Sequence, residues 1–174
     1  MTFQEDEQKI HQVSEDLDKI KGRSWSKFKG NVVNRLIIKL LTPHFTGYKI
    51  PEPNSFIEGY PLEFDLMILK QNAEPINDYS NCYKKEDVKL VIEVKKHGFY
   101  FKKTEAKEKM RKYFAKQEAI GVPFLYITLK ESKRLKADAE AVLDNRCFTL
   151  GISPKPWLND EWEKFVMAIK SNLH

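Results

Sequence analysis

An α/β fold with a central mixed sheet flanked by helices is predicted by three features of the sequence. Segments with helical apolar spacing are interspersed with short apolar segments that are typical of buried strands. The middle of the chain gives the order helix–strand–strand–strand–helix–strand. The segment VKLVIEVKKHG, residues 88–98, is apolar enough to be a buried strand of the sheet. The length of 174 residues favours one compact domain.

The individual elements follow from apolar periodicity and from glycine and proline breakers. Residues 4–21 form the first predicted helix, because Ile10, Val13, Leu17 and Ile20 make one stripe along it. Further helices are predicted at 31–41, 102–120, near 133–143 and at 159–173, and strands at 47–50, 61–70, 88–96, 122–129 and 146–152. Residues 71–87 are polar and rich in turn formers, and we expect a loop there.

The composition of the chain indicates which kind of partner and which cellular compartment to expect. The net charge of +5 suits a polyanionic partner, and basic residues are frequent at 19–39 and 95–116. No apolar run approaches the roughly 20 residues that span a membrane. The acidic N-terminal residues MTFQEDEQKI lack the basic and apolar regions of a signal peptide. A cytoplasmic protein with no membrane association and two reduced cysteines is therefore expected.

Charged residues inside the predicted strands mark the candidate site. Glu93 and Lys95 share one face of the 88–96 strand with Val91 and His97, because side chains alternate along a strand. Asp65 is an acid inside the apolar strand 61–70. If these two strands pair, Asp65 and Glu93 converge.

Converging carboxylates are suited to a hard divalent cation such as Mg²⁺, which prefers oxygen ligands. A lysine beside the cation can orient a water, and the cation can polarise a phosphate oxygen. This combination points to hydrolysis of a phosphodiester. The alternative is a purely structural salt bridge between Glu93 and Lys95 near the end of a strand.

Asp65 followed by Glu93-Val94-Lys95, a helix and a strand resembles the PD-(D/E)xK nuclease superfamily. The resemblance implies a restriction-endonuclease-like core of order αβββαβ over residues 29–129. Residues 1–28 would be an N-terminal helical extension and residues 130–174 a C-terminal addition to the same domain, 1–174. It also implies that Asp65 and Glu93 bind Mg²⁺ or Mn²⁺ and that Lys95 acts on the catalytic water.

The helix KGNVVNRLIIKLL is similar to the first helix of Holliday-junction resolvases in this superfamily. Those proteins often carry a glutamate where this chain has Asn34, so metal affinity is expected to be weaker. Asn34, Glu63 and His97 are candidate accessory residues.

Several basic residues are candidate phosphate contacts, with a solvated helix face as the alternative. These candidates for binding nucleic acid are Lys27, Lys29, Lys102, Lys103, Lys109 and Lys112. Trp25 and Phe28 stand among the first of them and are candidates for stacking on bases or for packing in the core.

The function predicted from the sequence is a metal-dependent DNA endonuclease of restriction, recombination or repair type. RNA remains open as a substrate. Cutting both strands with one site per subunit would need a homodimer or a larger nuclease complex. Two alternatives stay open: a weak or inactive nucleic-acid-binding or assembly subunit with the same fold, and a partner-binding domain that docks through the Ile10 stripe.

Overall fold

The structure of the 174-residue chain is a computed structural model. It describes residues 2–22, 25–97, 106–153 and 160–174. The helices are α1 Phe3–Lys19, α2 Ser26–Leu41, α3 Ala106–Glu118, α4 Lys133–Leu143 and α5 Glu161–Leu173. The strands are β1 Tyr48–Lys49, β2 Ser55–Ile57, β3 Tyr60–Phe64, β4 Leu66–Lys70, β5 Cys82–Tyr83, β6 Val88–His97, β7 Phe124–Ser132, β8 Cys147–Thr149 and β9 Ile152–Ser153.

The central sheet is mixed and has the strand order β1–β4–β6–β7–β8, with β9 also paired to β7. Strand β4 runs antiparallel to both β1 and β6, whereas β6, β7 and β8 run parallel to one another. Helix α3 connects the parallel strands β6 and β7, as a crossover between parallel strands requires. Strand β6 therefore lies in the interior of the sheet, with β4 on one edge and β7 on the other.

Helices cover both faces of the central sheet. Leu66, Ile68, Ile92 and Val94 belong to one buried cluster, which includes apolar residues of α1, α2 and α5. Met67, Val91, Phe124 and Tyr126 belong to a second cluster, which includes residues of α3 and α4. Each large side chain that is fully buried contributes about 1.5–3 kcal/mol, so these two clusters hold the layers together.

A smaller sheet has the strand order β3–β2–β5 and was not predicted. Strands β2 and β3 form a hairpin around Gly59, whose φ of +81° favours glycine. Strand β5 pairs with β2 in parallel and lies inside the predicted loop 71–87. The predicted strand 61–70 is in fact two strands, because the chain leaves the small sheet at Phe64 and enters the central sheet at Leu66.

The apolar stripe of α1 is covered by the chain itself. Ile10 and Leu17 are buried, and Val13 and Ile20 pack against the same cluster. This stripe therefore gives no support to the idea that α1 docks onto a partner. Helix α1 begins with a capping box in which Thr2 and Glu5 each accept the other's backbone N–H.

Helix α2 is longer than predicted and continues through Gly30. A glycine inside a helix costs about 1 kcal/mol relative to alanine, and the apolar face of α2 offsets that cost by burying Val33, Ile37, Leu40 and Leu41. Within the described residues, no helix is both long enough and apolar enough to span a membrane.

Candidate active site

Asp65 lies at the bend between β3 and β4. Its neighbours in sequence, Phe64 and Leu66, are buried in the two different clusters, so the backbone is anchored on both sides of the bend. The backbone N–H of Asn54 donates to the carbonyl of Asp65 at 3.3 Å. The backbone of Asp65 is therefore held where the chain passes from the small sheet to the central sheet.

The carboxylate of Asp65 is held by groups from two elements. Its Oδ2 accepts the backbone N–H of Val94 at 2.9 Å, and its Oδ1 accepts a hydrogen bond from Nδ2 of Asn34 at 3.2 Å. Leu66 pairs with Ile92 in the antiparallel ladder between β4 and β6, so Asp65 lies beside the Glu93–Val94 segment. The pairing of the two strands therefore sets the position of this acid.

Glu93 and Lys95 lie on the same face of β6, as predicted. The Lys95 ammonium contacts Oε1 of Glu93 and lies 3.4 Å from Oδ2 of Asp65. The side chains of Glu93, Asp65 and Lys95 are 8 %, 22 % and 31 % exposed, so the cluster is mostly buried but open on one side. We call Asp65, Glu93 and Lys95 with the supporting Asn34 the acid–lysine cluster.

The electrostatics of the acid–lysine cluster favour a protonated lysine. Burial opposes the charged form of Lys95, but the charges and hydrogen bonds of Glu93 and Asp65 outweigh burial and raise its pKa above the ordinary value. The ammonium therefore balances the negative charge of the two acids.

The acid–lysine cluster supplies two carboxylates, the type of ligand that a hard divalent cation prefers. Asp65 and Glu93 supply carboxylate oxygens within reach of one small positive group, the Lys95 ammonium, and one side is open to water. Mg²⁺ is commonly bound through one or two carboxylates while it keeps several waters. Among the described residues, no group of three or more His, Cys, Asp and Glu side chains is arranged to hold a metal ion.

Of the candidate accessory residues, the structure brings only Asn34 to the cluster. Asn34 is 3 % exposed and donates to Asp65, as described above. Glu63 is exposed on β3, opposite Phe56 in the small sheet. Glu63 therefore belongs to the small sheet and is not brought to the acid–lysine cluster.

His97 pairs with an acid that lies outside the acid–lysine cluster. Its imidazole lies 3.4 Å from Oδ1 of Asp18, near the end of α1. Lys96 and Lys130 also bind Asp18, so this acid draws the end of β6 toward α1. Burial, followed by the charge of Lys96, lowers the pKa of His97.

The basic candidates lie in different environments. Lys27 is exposed on α2, whereas Lys29 donates to the Ile20 carbonyl at the end of α1. Lys112 is exposed on α3 and pairs with Glu108 at 2.8 Å. Lys102 and Lys103 lie outside the described residues, and so does the side chain of Lys109.

Sequence reasoning missed the asparagines that support the bend. The side-chain amide of Asn54 donates to Oδ1 of Asn31 at 3.3 Å and so links the bend to α2. Asn54 has a φ of +64°, a conformation that asparagine adopts more readily than most residues. Its place in the proline-containing segment PEPNS was the signal that could have indicated a turn there.

No protein-family model matches the chain. No curated protein matches it at the level of sequence. Among solved structures, the chain is similar to NucC of P. aeruginosa in its cAAA-bound form, with a TM-score of 0.60 and 14 % identity. That match covers 86 % of this chain and 73 % of NucC. The fold is restriction-endonuclease-like.

A second match is NucC of E. coli, also in a cAAA-bound form, with a TM-score of 0.48 and 16 % identity. It covers 79 % of this chain and 69 % of that one. The P. aeruginosa match supports the predicted fold class, a mixed α/β core with helices on both sides of the sheet.

Proposed function

We propose that this chain is a metal-dependent nuclease that hydrolyses phosphodiester bonds in DNA. The observation that carries the proposal is the convergence of Asp65 and Glu93 on the Lys95 ammonium, at the bend between two sheets. The restriction-endonuclease-like fold supports it. The elements around the central sheet, α2–β1–β4–β6–α3–β7, follow the order αβββαβ that the resemblance implies.

Each residue of the acid–lysine cluster has a separate role in the proposal. Asp65 and Glu93 would hold Mg²⁺ or Mn²⁺ through carboxylate oxygens, and Val94 would fix the orientation of Asp65 through its N–H. Lys95 would hold and orient the attacking water, since its ammonium lies beside the two acids that would hold the cation. The bound cation would supply Lewis-acid stabilisation of the phosphate.

A second candidate function is a nucleic-acid-binding subunit with little or no catalysis. The observation that favours it is Asn34, which gives Asp65 a neutral amide partner rather than another carboxylate. A neutral partner adds no negative charge toward a cation, so the metal would bind less tightly. The two candidates differ in whether Mg²⁺ or Mn²⁺ binds and whether cleavage follows.

Cleavage of plasmid DNA, branched DNA and RNA should be measured with Mg²⁺, with Mn²⁺ and with EDTA. We expect cleavage of DNA that requires metal and that falls by about 10²–10⁴-fold in Lys95→Met. Asp65→Asn should weaken metal binding because it removes a ligand charge while preserving shape. Glu58→Gln is the matched control, because Glu58 is an exposed carboxylate in the β2–β3 hairpin.

Cleavage in EDTA, or equal cleavage by Lys95→Met and the wild type, would contradict the proposal. A wild type that binds DNA and metal but never cleaves would favour the second candidate function. If only RNA is cleaved, the reaction class stands and the substrate assignment is wrong.

A further inference from the structure

An exposed pair of aromatic side chains lies where α2 begins. Trp25 and Phe28 are 48 % and 45 % exposed, although aromatic side chains usually bury most of their surface. Their ring centroids are 5.6 Å apart with an interplanar angle of 79°, an edge-to-face contact. The two rings therefore support each other and still present apolar surface to solvent. We call Trp25 and Phe28 the aromatic pair.

The charge around the aromatic pair suits an anionic partner. All the charged residues of α2 are basic, namely Lys27, Lys29, Arg35 and Lys39. The Lys29 ammonium donates a hydrogen bond to the Ile20 carbonyl, and Arg35 pairs with Glu52 at 3.3 Å. Lys27 is exposed and precedes Phe28 in the sequence, two residues after Trp25. A helix whose charged residues are all basic suits a polyanion such as a nucleic acid strand.

The aromatic pair is also connected to the candidate active site by the same helix. Phe28 precedes Asn34 by six residues, about 9 Å along an α-helix. Lys27 and Asn34 are two turns apart on one face of α2, since residues seven apart lie nearly in line. Asn31 lies between them on that side and binds Asn54, which supports the bend at Asp65.

We propose that the aromatic pair is a stacking surface for unpaired bases of the nucleic acid strand that the acid–lysine cluster would cleave. Aromatic side chains stack on bases without sequence preference, and cations beside them contact the phosphates. A complete duplex hides its base faces, so the surface is specific for a single-stranded or unstacked segment. This inference rests on the proposed function, and it adds the binding site and the strand state of the substrate.

The test is binding of a labelled oligothymidylate of about 16 nucleotides and of a hairpin duplex, each followed by fluorescence anisotropy in EDTA. The variant is Trp25→Ala with Phe28→Ala. The matched control is Ile76→Ala with Tyr79→Ala, since those side chains are also exposed, at 42 % and 100 %, but lie between β4 and β5.

Stacking contributes about 1–3 kcal/mol per base, which corresponds to a change of about 5- to 150-fold in affinity. We therefore expect the Trp25 and Phe28 variant to lose at least about 5-fold in affinity for the oligothymidylate. Its affinity for the duplex should change much less, and the control should bind both probes like the wild type. A variant with Trp25→Phe and Phe28→Tyr should retain binding, because both positions still carry an aromatic ring.

Unchanged binding of the oligothymidylate by the alanine variant would overturn the inference. Equal loss for both probes would also overturn it, because the pair would then not distinguish unpaired bases. A change in sedimentation without a change in binding would assign the surface to contact between copies of this chain. If the alanine variant does not fold, the test is the quenching of tryptophan fluorescence by the oligothymidylate. This quenching should be weaker in Trp25→Phe than in the wild type. Equal quenching in the two proteins would refute the stacking surface.

Cleavage by the same variants separates this inference from the proposed function. A wild type that cleaves DNA while the alanine variant binds normally would leave the nuclease proposal standing and refute the stacking surface. If the wild type never cleaves, but the alanine variant loses affinity for the oligothymidylate, the nuclease proposal is refuted and the stacking surface stands. If the wild type neither binds nor cleaves, both fail.

Discussion

Lys95→Met is the substitution that best tests the acid–lysine cluster, because it removes the ammonium and keeps most of the side-chain length. In the structure this ammonium contacts both Glu93 and Asp65. Without it, two partly buried carboxylates would face each other with no balancing charge. Loss of one member of a well-buried ion pair costs about 3–5 kcal/mol.

The expected cost here is smaller, for reasons that the geometry supplies. Asp65 keeps its hydrogen bonds from Val94 and Asn34, and Lys95 is 31 % exposed, so water can replace part of the lost interaction. We expect a loss of about 2 kcal/mol in the free energy of unfolding, or about 4–8 °C in Tm for a chain of this size. The variant should be less stable than the wild type in EDTA.

A divalent cation should reverse that loss if the cluster is a metal site. A ligand that binds only the folded state at 100 times its Kd adds about 2.7 kcal/mol of stability. The shift in Tm caused by Mg²⁺ should therefore be at least as large in Lys95→Met as in the wild type, while cleavage falls by about 10²–10⁴-fold. Thermal melts with Mg²⁺ and with EDTA, together with a cleavage assay, measure both quantities.

Lys70→Met is the control, because Lys70 is a lysine on β4 that pairs with one acid, Asp87, at 3.3 Å. It should lose at most about 1 kcal/mol and should not alter the response to Mg²⁺. This role for Lys95 is refuted if Lys95→Met cleaves at the wild-type rate. It is also refuted if Lys95→Met is destabilised while the wild type shows neither cleavage nor a response to Mg²⁺, since the acids and the lysine would then serve stability alone.

Two further predictions concern Asn34, which donates to Asp65, and Asp18, which binds Lys96 and Lys130. Asn34→Asp should lower Tm in EDTA, because a carboxylate would replace the amide that donates to Asp65. The same substitution should enlarge the stabilisation by Mg²⁺. Equal shifts of Tm by Mg²⁺ in the variant and the wild type would argue against a cation at this position. Asp18 is partly buried, which alone would raise its pKa, but hydrogen bonds and charges from Lys96 and Lys130 lower that pKa to about 2. Because this folded pKa lies below the ordinary value, Asp18 stabilises the fold above about pH 4 and loses that effect as pH falls toward 2. Urea unfolding should therefore show the wild type about 1 kcal/mol more stable than Asp18→Asn near pH 6. The difference in stability should be smaller at pH 3. A difference that does not change with pH would contradict this role of Asp18.

The sequence by itself determined the fold class and the main elements of the central sheet. The continuous apolar character of 88–96 marks a strand with neighbours on both sides, and that segment is β6 in the structure. The helix predicted near 133–143 coincides with α4, Lys133–Leu143. The alternation of faces along β6 also placed Glu93 and Lys95 together, because that property depends only on strand periodicity.

The tertiary structure decided the positions that depend on contacts between distant segments. Asp65 lies in a bend rather than within a strand because its flanking residues, Phe64 and Leu66, are buried in different clusters. Asn34 reaches Asp65 from 31 residues away, and His97 pairs with Asp18 of α1. No local pattern carries this information, because each position is set by the packing of α1, α2 and the two sheets around the core.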